Sequence, residues 1–449
     1  MGGAFDPVAE YEARTRKSAA WFEEARKHLP GGVTGNVKFY APYPVYAKRA
    51  QGGHLWDLDG NEYVDYMLCF GPLILGHGHP RVMKAIHDQL ARDGTPIFGA
   101  PHELEARMME RVKRIFPFAD AGRFTNSGLE ATLHALRIAR GFTRKPKIAK
   151  FEGHYHGSYD EVLVSLTPPV ASAGPASAPI AVSQSISTPT EALGQVLVLP
   201  YNDLENTTKL LRAQRKDLAA VIVEPVQRGF IPGDPEFLKG LREATEDLGL
   251  VLVYDEIMSG FRMKGPGGAV TGSGVEPDMI CLGKIVGGGF PIGMFLGRRD
   301  LVGVVDPVTR PKDDRVFHGG TFNGHPTVLA AGMATLDALE EPGTYARLNA
   351  LSDTLRDGLN DLFGRLGVGG MAVGPYSTFN ILFADRAPRN YRESLRADSK
   401  RRQAFDLGLL ARGVHLHPDK PLYTCTAHTR ADVDATLRAA EDILRKMAA

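Results

Sequence analysis

The stretches LVLVYDE at residues 250–256 and MICLGK at residues 279–284 decide the fold of this chain. Each is a short apolar run that stops at a charged residue, Asp255 in the first and Lys284 in the second. Runs of this kind, bounded by glycine, are typical of buried parallel strands. Ligands of open α/β sheets bind outside the carboxyl ends of such strands, so Asp255 and Lys284 are predicted to face one crevice.

Helical patterns and short apolar strands alternate from about residue 75 onward. The predicted strands are 122–125, 147–151, 219–223, 250–254 and 279–282. This alternation predicts an α/β fold with a mostly parallel central sheet covered by helices. The remaining elements predicted are an amphipathic helix over 8–29, a small antiparallel sheet over 44–66, and helices over 326–339 and 430–447.

Length and composition narrow the class of protein. A chain of 449 residues exceeds one ordinary core, and its formal net charge of +1 gives no reason to expect nucleic acid or an acidic membrane as partner. The three cysteines are scattered without a CxxC pair, so neither a disulfide framework nor a metal site is expected. No apolar stretch approaches the roughly 18 residues that span a bilayer, and the N-terminus lacks a signal-type apolar region. These features predict a cytoplasmic protein.

Asp255 and Lys284 together indicate pyridoxal 5′-phosphate as cofactor. A lysine holds the cofactor aldehyde as a Schiff base, and a carboxylate keeps the pyridine nitrogen protonated so that the ring accepts electrons. The alternative for Lys284 is a solvated loop lysine. It is disfavoured because Asp255, Ser127 and Tyr155 also follow predicted strands.

Three further motifs follow predicted strands. NSGLEA at 126–131 opens a helix, where a hydroxyl and free backbone N–H groups form an anion site, although Ser127 also suits an ordinary N-cap. FEGHYHG at 151–157 contains Tyr155, which could stack on a cofactor ring. The alternative is a tyrosine packed in the core beside a histidine whose hydrogen bonds are made within the protein. Glu224 either caps a loop or, in a ligand crevice, holds a histidine or the ring hydroxyl region.

Two further segments each have two possible roles. GGTFNG at 319–324 places Thr321 either as a second phosphate contact or in a simple turn. Residues 167–190 are rich in Pro, Ala and Ser, which suits both a surface linker and a mobile active-site loop.

In this order the motifs resemble the class III pyridoxal-phosphate aminotransferases of fold type I, closest to the glutamate-1-semialdehyde 2,1-aminomutase branch. The resemblance covers nearly the whole chain, including PGGV at 30–33, LGHGHP at 75–80, FGAP at 98–101, DEIMSGFR at 255–262 and GT at 320–321. It implies a large cofactor-binding domain over 75–330. It also implies a small α+β domain built from both chain ends, 1–74 and 331–449.

The resemblance also implies roles for individual residues. Lys284 would form the internal aldimine and move protons, Asp255 would pair with the pyridine nitrogen, and Tyr155 and Ile257 would pack on opposite ring faces. A homodimer with active sites at the subunit interface is implied, because Thr321 would reach the neighbouring subunit's phosphate. The other candidate cofactor contacts are Ser127, Gly128, Leu129, His156 and Glu224.

Substrate contacts are where the chain departs from the aminomutase branch. That branch carries an arginine shortly after the PGGV motif, and by spacing this chain has Lys38, a point charge without a bidentate fork. The aminomutase branch also carries a glutamate near 417–421, where this chain reads HPDKP. His417 or Lys420 is therefore a candidate to bind the substrate carboxylate. Phe70 and Phe98 are candidates for an aromatic pocket, with core packing as the alternative.

The predicted activity is a ping-pong aminotransferase. It would move an amino group from an amino acid, including β- and D-amino acids, or an amine to a keto acid or ketone. The alternative is an intramolecular aminomutase of the glutamate-1-semialdehyde type. A non-catalytic cofactor-binding protein is disfavoured by the intact Lys284 and Asp255.

Overall fold

The computed structural model describes residues 5–448, which form two compact units. Unit 1 contains the described residues up to Pro80, Pro342–Ala387 and those from Leu395 onward, and unit 2 contains Arg81–Glu341 and Pro388–Ser394. The divisions fall at residues 80 and 341, where the sequence suggested 74 and 330. The helix over 326–339 stays in unit 2 because its Gly332 lies directly against the carbonyl of Val286.

The strands, in chain order, are β1 Ala47–Gln51, β2 His54–Asp57, β3 Glu62–Asp65, β4 Ala121–Thr125, β5 Lys147–Phe151, β6 Val196–Leu199, β7 Leu218–Val223, β8 Val226–Gln227, β9 Ile231–Pro232, β10 Val251–Asp255, β11 Met279–Gly283, β12 Gly293–Gly297, β13 Met371–Val373, β14 Thr378–Leu382, β15 Val414–His415 and β16 Leu422–Tyr423. The α-helices are α1 Pro7–Arg14, α2 Arg16–Arg26, α3 Pro80–Asp93, α4 Glu103–Ile115, α5 Gly128–Thr143, α6 Thr190–Gly194, α7 Leu204–Gln214, α8 Pro235–Asp247, α9 Gly268–Ser273, α10 Arg299–Val302, α11 Pro326–Leu339, α12 Thr344–Leu366, α13 Tyr391–Ser394, α14 Ser399–Ala411 and α15 Arg430–Ala448. Within the described residues, none of these helices is long and apolar enough to cross a membrane.

Unit 2 is built on a seven-stranded sheet in the order β4-β12-β11-β10-β7-β5-β6. β12 runs antiparallel to both of its neighbours, and the other strands run parallel to one another. The predicted α/β fold is confirmed, and every predicted strand is present. β6 and β12 were not predicted, because β6 follows the Pro/Ala/Ser-rich segment and β12 is a short run between two glycines.

The central strands are apolar along their whole length because helices cover the sheet on both faces. β7 and β11 are buried at every position, and α5 packs Ala131, Ala135 and Ile138 into the same core. Each fully buried valine, leucine or isoleucine side chain in this core contributes about 1.5–3 kcal/mol relative to exposure. This core fixes where the carboxyl ends of the strands lie.

Unit 1 joins the two ends of the chain. β15 from the C-terminal region pairs in parallel with β3, extending the sheet β1-β2-β3-β15. The single helix predicted over 8–29 is wrong: it breaks at Thr15 into α1 and α2. The break is stabilised from outside, because the carboxylate of Asp59 accepts hydrogen bonds from the backbone N–H groups of Lys17 and Ser18.

Candidate active site

The candidate site lies at the carboxyl ends of neighbouring parallel strands of unit 2. Asp255 is the last residue of β10, Lys284 follows β11 directly, and Glu224 follows β7 directly. β10 pairs with β11 on one side, with Asp255 opposite Cys281, and with β7 on the other, with Tyr254 opposite Val223. The sheet therefore brings an amine and two carboxyl groups to one edge, as the strand pattern predicted.

Asp255 is 96% buried and hydrogen-bonded to His156. Nδ1 of His156 lies 2.7 Å from Oδ2 of Asp255, and the backbone N–H of Ile257 donates to Oδ1. Burial lowers the pKa of His156, and the attraction of Asp255 offsets that effect only in part. His156 is therefore neutral near pH 7, with its proton on Nδ1 facing the carboxylate.

His156 is also fixed through its backbone. The Thr132 hydroxyl, on α5, donates to the carbonyl of His156 at 2.5 Å. Nε2 of His156 is buried and has no hydrogen-bond partner among the described residues. A buried ring nitrogen without a partner marks a place where a polar group of a ligand can be accepted.

Glu224 organises the segment on the other side of Asp255. Its Oε2 accepts the backbone N–H of Tyr155 at 3.0 Å, and its own backbone N–H donates to Nδ1 of His154 at 3.0 Å. Burial raises the pKa of Glu224 to about 8, and the negative charge of Asp255 acts in the same direction. Glu224 is thus largely a neutral acid at pH 7. The predicted contact of Glu224 with a histidine is present: its Oε2 lies 3.8 Å from Nδ1 of His154, beside the backbone hydrogen bond to the same ring.

The helix α5 begins at the phosphate-type motif. Ser127 is its N-cap, and its Oγ accepts the backbone N–H of Glu130 at 3.2 Å. The hydroxyl proton of Ser127 stays available, and the first backbone N–H groups of a helix have no partner within it. Gly128 lies so close to Ile257 that a Cβ would sit 2.6 Å from Cδ1 of that side chain. The Leu129 side chain packs against Gly157, so only the backbone of Leu129 is available to an anion.

Lys284 has a left-handed backbone conformation, with φ of +50°. A non-glycine residue in this region stores about 1–3 kcal/mol of strain, which persists only where the surroundings impose it. Here β11 and β12 impose it, because Gly283 pairs with Gly293 immediately before the lysine. Lys284 is half-buried. Backbone strain of this kind clusters at functional sites.

Thr321 and Phe98 line one cavity of about 210 Å³, together with His102, Glu105 and His325. Asn323, in the same wall, accepts a hydrogen bond at 3.0 Å from the side chain of Asn126, the residue that precedes Ser127. The cavity therefore adjoins the N-terminal end of α5. Phe98 and Thr321, predicted for different purposes, lie together here.

The other predicted substrate residues lie in unit 1. Phe70 and His417 contact each other, with ring centroids 5.7 Å apart. Burial lowers the pKa of His417, and its Nδ1 lies 2.9 Å from the carbonyl of Pro418. Lys38 is exposed, and its Nζ donates to the Thr34 hydroxyl at 2.9 Å. The backbone carbonyl of Lys420 accepts a hydrogen bond from Nη2 of Arg402 at 3.0 Å.

The sequence reasoning did not single out several residues that contribute to the site. Lys150 in β5 is fully buried, its Nζ donates to the carbonyl of Val164 at 2.5 Å, and burial lowers its pKa to about 7. A lysine inside an apolar strand is a visible signal, which could have singled it out. The other missed residues, which act through contacts distant in sequence, are Asn126, Thr132, His154, Arg228 and Arg392.

The chain is similar to known proteins along almost its whole length. Residues 37–366 match the family described as Aminotransferase class-III. A glutamate-1-semialdehyde 2,1-aminomutase of Methanosarcina acetivorans is 41% identical over 432 residues, 95% of this chain and 98% of that protein. An omega-transaminase structure from Sphaerobacter thermophilus is 37% identical with a TM-score of 0.90, covering 96% and 97% of the two chains. A glutamate-1-semialdehyde aminomutase structure from Pseudomonas aeruginosa PAO1 is 27% identical with a TM-score of 0.88, covering 98% and 97%.

Proposed function

Because the chain belongs to the class III aminotransferases, which depend on pyridoxal 5′-phosphate, we propose that it moves an amino group at the site of Lys284 and Asp255. The observation that carries the proposal is the placement of both residues at the carboxyl ends of paired parallel strands. An amine and a buried carboxylate in that arrangement match the two functional ends of the cofactor.

The residues present fit this cofactor. The Ser127 hydroxyl and the first N–H groups of α5 suit a phosphate, because the positive end of the helix dipole lies there. The buried carboxylate of Asp255 suits a protonated ring nitrogen, and Ile257 and the half-exposed Tyr155 offer apolar surfaces to a ring. When bound, the cofactor supplies an aldehyde and an electron-accepting ring.

The chain's own groups then have distinct tasks. The Lys284 amine would hold the cofactor aldehyde, and as a free amine it would take and return the proton of the substrate carbon that bears nitrogen. Asp255 provides negative charge for the ring nitrogen, and His156 keeps that carboxylate oriented from its other side. Glu224 fixes the backbone of Tyr155. We further propose a homodimer in which Thr321 completes the phosphate site of the neighbouring subunit.

Between the two candidate reactions, we place the intramolecular one first. Relatives about 40% identical along almost their whole length are named glutamate-1-semialdehyde 2,1-aminomutase. This reverses the order predicted from the sequence, in which transfer between two molecules stood first. The proposed substrate is therefore a small amino aldehyde whose amino group moves from carbon 2 to carbon 1.

Transamination is the second candidate, and two observations favour it. The omega-transaminase structure is 37% identical and superposes with a TM-score of 0.90. Lys38 also stands where the aminomutase branch carries arginine. Lys38, Phe70, Phe98, His417 and Lys420 remain our proposed substrate contacts. His417 would act there as a neutral hydrogen-bonding group, because burial lowers its pKa.

The deciding experiment supplies glutamate-1-semialdehyde as sole substrate to the purified protein loaded with pyridoxal phosphate. Conversion to the isomer without an added keto acid supports the aminomutase. Conversion that requires a separate amino donor and acceptor supports the transaminase. The Lys284→Ala variant is the control and is expected to be inactive in both assays. No amino transfer with this substrate or with a panel of amino donors and keto acids would overturn the proposal.

A further inference from the structure

Two arginines hold the turn from which Tyr155 and His156 extend. The turn is Glu152-Gly153, directly after β5. Nε and Nη2 of Arg392 lie 2.7 and 2.9 Å from the two carboxylate oxygens of Glu152. Nε of Arg228 donates to the carbonyl of Gly153 at 2.9 Å. Arg392 thus holds the side chain of Glu152, and Arg228 holds the backbone of Gly153.

Arg392 also reaches the Pro/Ala/Ser-rich loop over 167–190, and Arg228 reaches Leu166, the residue directly before it. Nη1 and Nη2 of Arg392 donate to the carbonyls of Gly174 at 2.8 Å and Ala173 at 3.0 Å. Nη2 of Arg228 donates to the carbonyl of Leu166 at 2.7 Å. Arg392 therefore bridges the turn and the loop, and Arg228 bridges the turn and the residue that leads into the loop.

Tyr391 completes the same cluster. Its hydroxyl donates to the carbonyl of Pro168 at 3.1 Å, and its ring lies 5.3 Å from the Arg228 guanidinium. Gly153, at φ of +83°, has no room for a Cβ because Tyr391 and Gln227 lie against it. The backbone N–H of Gly153 donates to the carbonyl of Ser165 at 2.8 Å, a direct bond between the turn and the segment that leads into the loop.

The chemistry of these contacts requires arginine. A guanidinium presents five donors in a planar fork, which can pair with a carboxylate in two bonds and still donate to carbonyls. Lysine has the charge but lacks the fork. Glu152 is 95% buried, so the pair is shielded from water and its bonds are stronger than those of exposed pairs.

We propose that Arg392 is a positioning residue of the active site: by tying Ala173 and Gly174 to Glu152, it couples the order of the loop to the placement of Tyr155 and His156. The contacts themselves stand independently, and only the roles of Tyr155 and His156 rest on the proposed function. The loop over 167–190 is then a structural part of the site rather than a linker.

The test compares Arg392→Lys with Arg389→Lys. Arg389 lies in the same short segment but is exposed and pairs with Asp234, away from the turn and the loop. Amide hydrogen exchange is measured by mass spectrometry on peptides that cover 151–157 and 166–174, in the protein without and with pyridoxal phosphate. Arg392→Lys is expected to raise exchange in both peptides by about tenfold or more, and Arg389→Lys in neither.

A second readout separates positioning from general stability. Titration of the cofactor-free protein with pyridoxal phosphate is expected to show roughly tenfold weaker binding for Arg392→Lys and unchanged binding for Arg389→Lys. Glu152→Gln should reproduce the effect, and the double variant should add little to either single one. Tyr391→Phe removes one hydrogen bond and should raise exchange in the same peptides by a few-fold.

Increased exchange confined to 166–174, with 151–157 unchanged, would overturn the coupling. Unchanged exchange in both peptides would overturn the role of Arg392 altogether. Neither readout needs a substrate or turnover, so the proposal can fail while the proposed function holds, and the reverse.

Discussion

Replacing Gly128 by alanine tests whether the close contact between α5 and Ile257 shapes the cofactor site. Gly128 is the first residue of α5, beside the N-cap Ser127, and its conformation suits alanine. A Cβ there would lie 2.6, 3.0 and 3.1 Å from three side-chain carbons of Ile257. Ile257 must withdraw by about 0.8 Å to restore the 3.4 Å at which ordinary contact begins. Because Ile257 is our proposed ring contact, cofactor binding should suffer more than folding.

The magnitude follows from two opposing effects. Alanine in a helix gains up to about 1 kcal/mol over glycine, although less at the first position. Overpacking costs about 1–3 kcal/mol, and pushing a side chain off its rotamer about 0.5–1.5 kcal/mol. The free energy of unfolding of the cofactor-free protein should therefore change by less than about 1–2 kcal/mol. The cofactor Kd should rise roughly 5–100-fold, since about 1.4 kcal/mol corresponds to a factor of ten.

The assay is titration of the cofactor-free protein with pyridoxal phosphate, alongside denaturant unfolding of the same samples. Gly272→Ala is the matched control, because Gly272 is an exposed helical glycine with open space around the position of its Cβ. Ile257→Val removes the carbon at 2.6 Å and should recover part of the binding lost in Gly128→Ala. The reasoning is refuted if Gly128→Ala binds the cofactor as tightly as the unchanged protein, or if Ile257→Val recovers nothing.

Three further outcomes are expected. Lys284→Ala should lose the visible absorption of covalently held cofactor and all turnover, with unchanged far-ultraviolet circular dichroism, and residual turnover above one thousandth would contradict the assigned role. Asp255→Asn keeps an acceptor for His156 but loses the negative charge for the ring nitrogen, so kcat should fall by at least about 10–100-fold, as steady-state kinetics would show. Glu224 has a folded pKa of about 8 against an ordinary value of 4.5, so it stabilises the fold fully below about pH 4.5 and loses that contribution as pH rises through 8. Denaturant unfolding of the cofactor-free protein is measured from pH 5 to 8. The free energy of unfolding should fall with pH less steeply in Glu224→Gln than in the unchanged protein, by up to about 1 kcal/mol per pH unit. Parallel curves for the two proteins would contradict the raised pKa.

The parts of the fold and site that follow from local pattern were predictable. β10 and β11 are continuous apolar runs because both faces of the sheet are covered, and the residue after such a run is forced to the ligand-binding edge. That rule alone placed Asp255, Lys284 and Glu224. It could not place β12, which is bounded by glycines and runs antiparallel at a point where the alternation of strand and helix is interrupted.

What sequence reasoning missed depends on contacts between distant residues. His156 and Asp255 are 99 positions apart, and Glu152 and Arg392 are 240 apart. Neither pair leaves a periodic signal, because each side chain meets its partner only when the fold brings distant segments of the chain together. The break at Thr15 has the same origin, since the carboxylate that stabilises it belongs to Asp59. These contacts depend on position in the folded chain, whereas the strands follow from the local sequence pattern.

The backbone of Lys284 shows how the two kinds of information combine. Its left-handed conformation is unfavourable for lysine by itself, so the local sequence would not choose it. The conformation persists because Gly283 is fixed by pairing with Gly293, and Gly293 in turn has no room for a side chain beside the carbonyl of Ser127. β12, which pairs with the strand that leads into the lysine, is thereby packed directly against the residue that caps the proposed phosphate helix. A larger residue at position 293 would disturb Lys284 and Ser127 together, so the two proposed ends of the cofactor site are set by one contact.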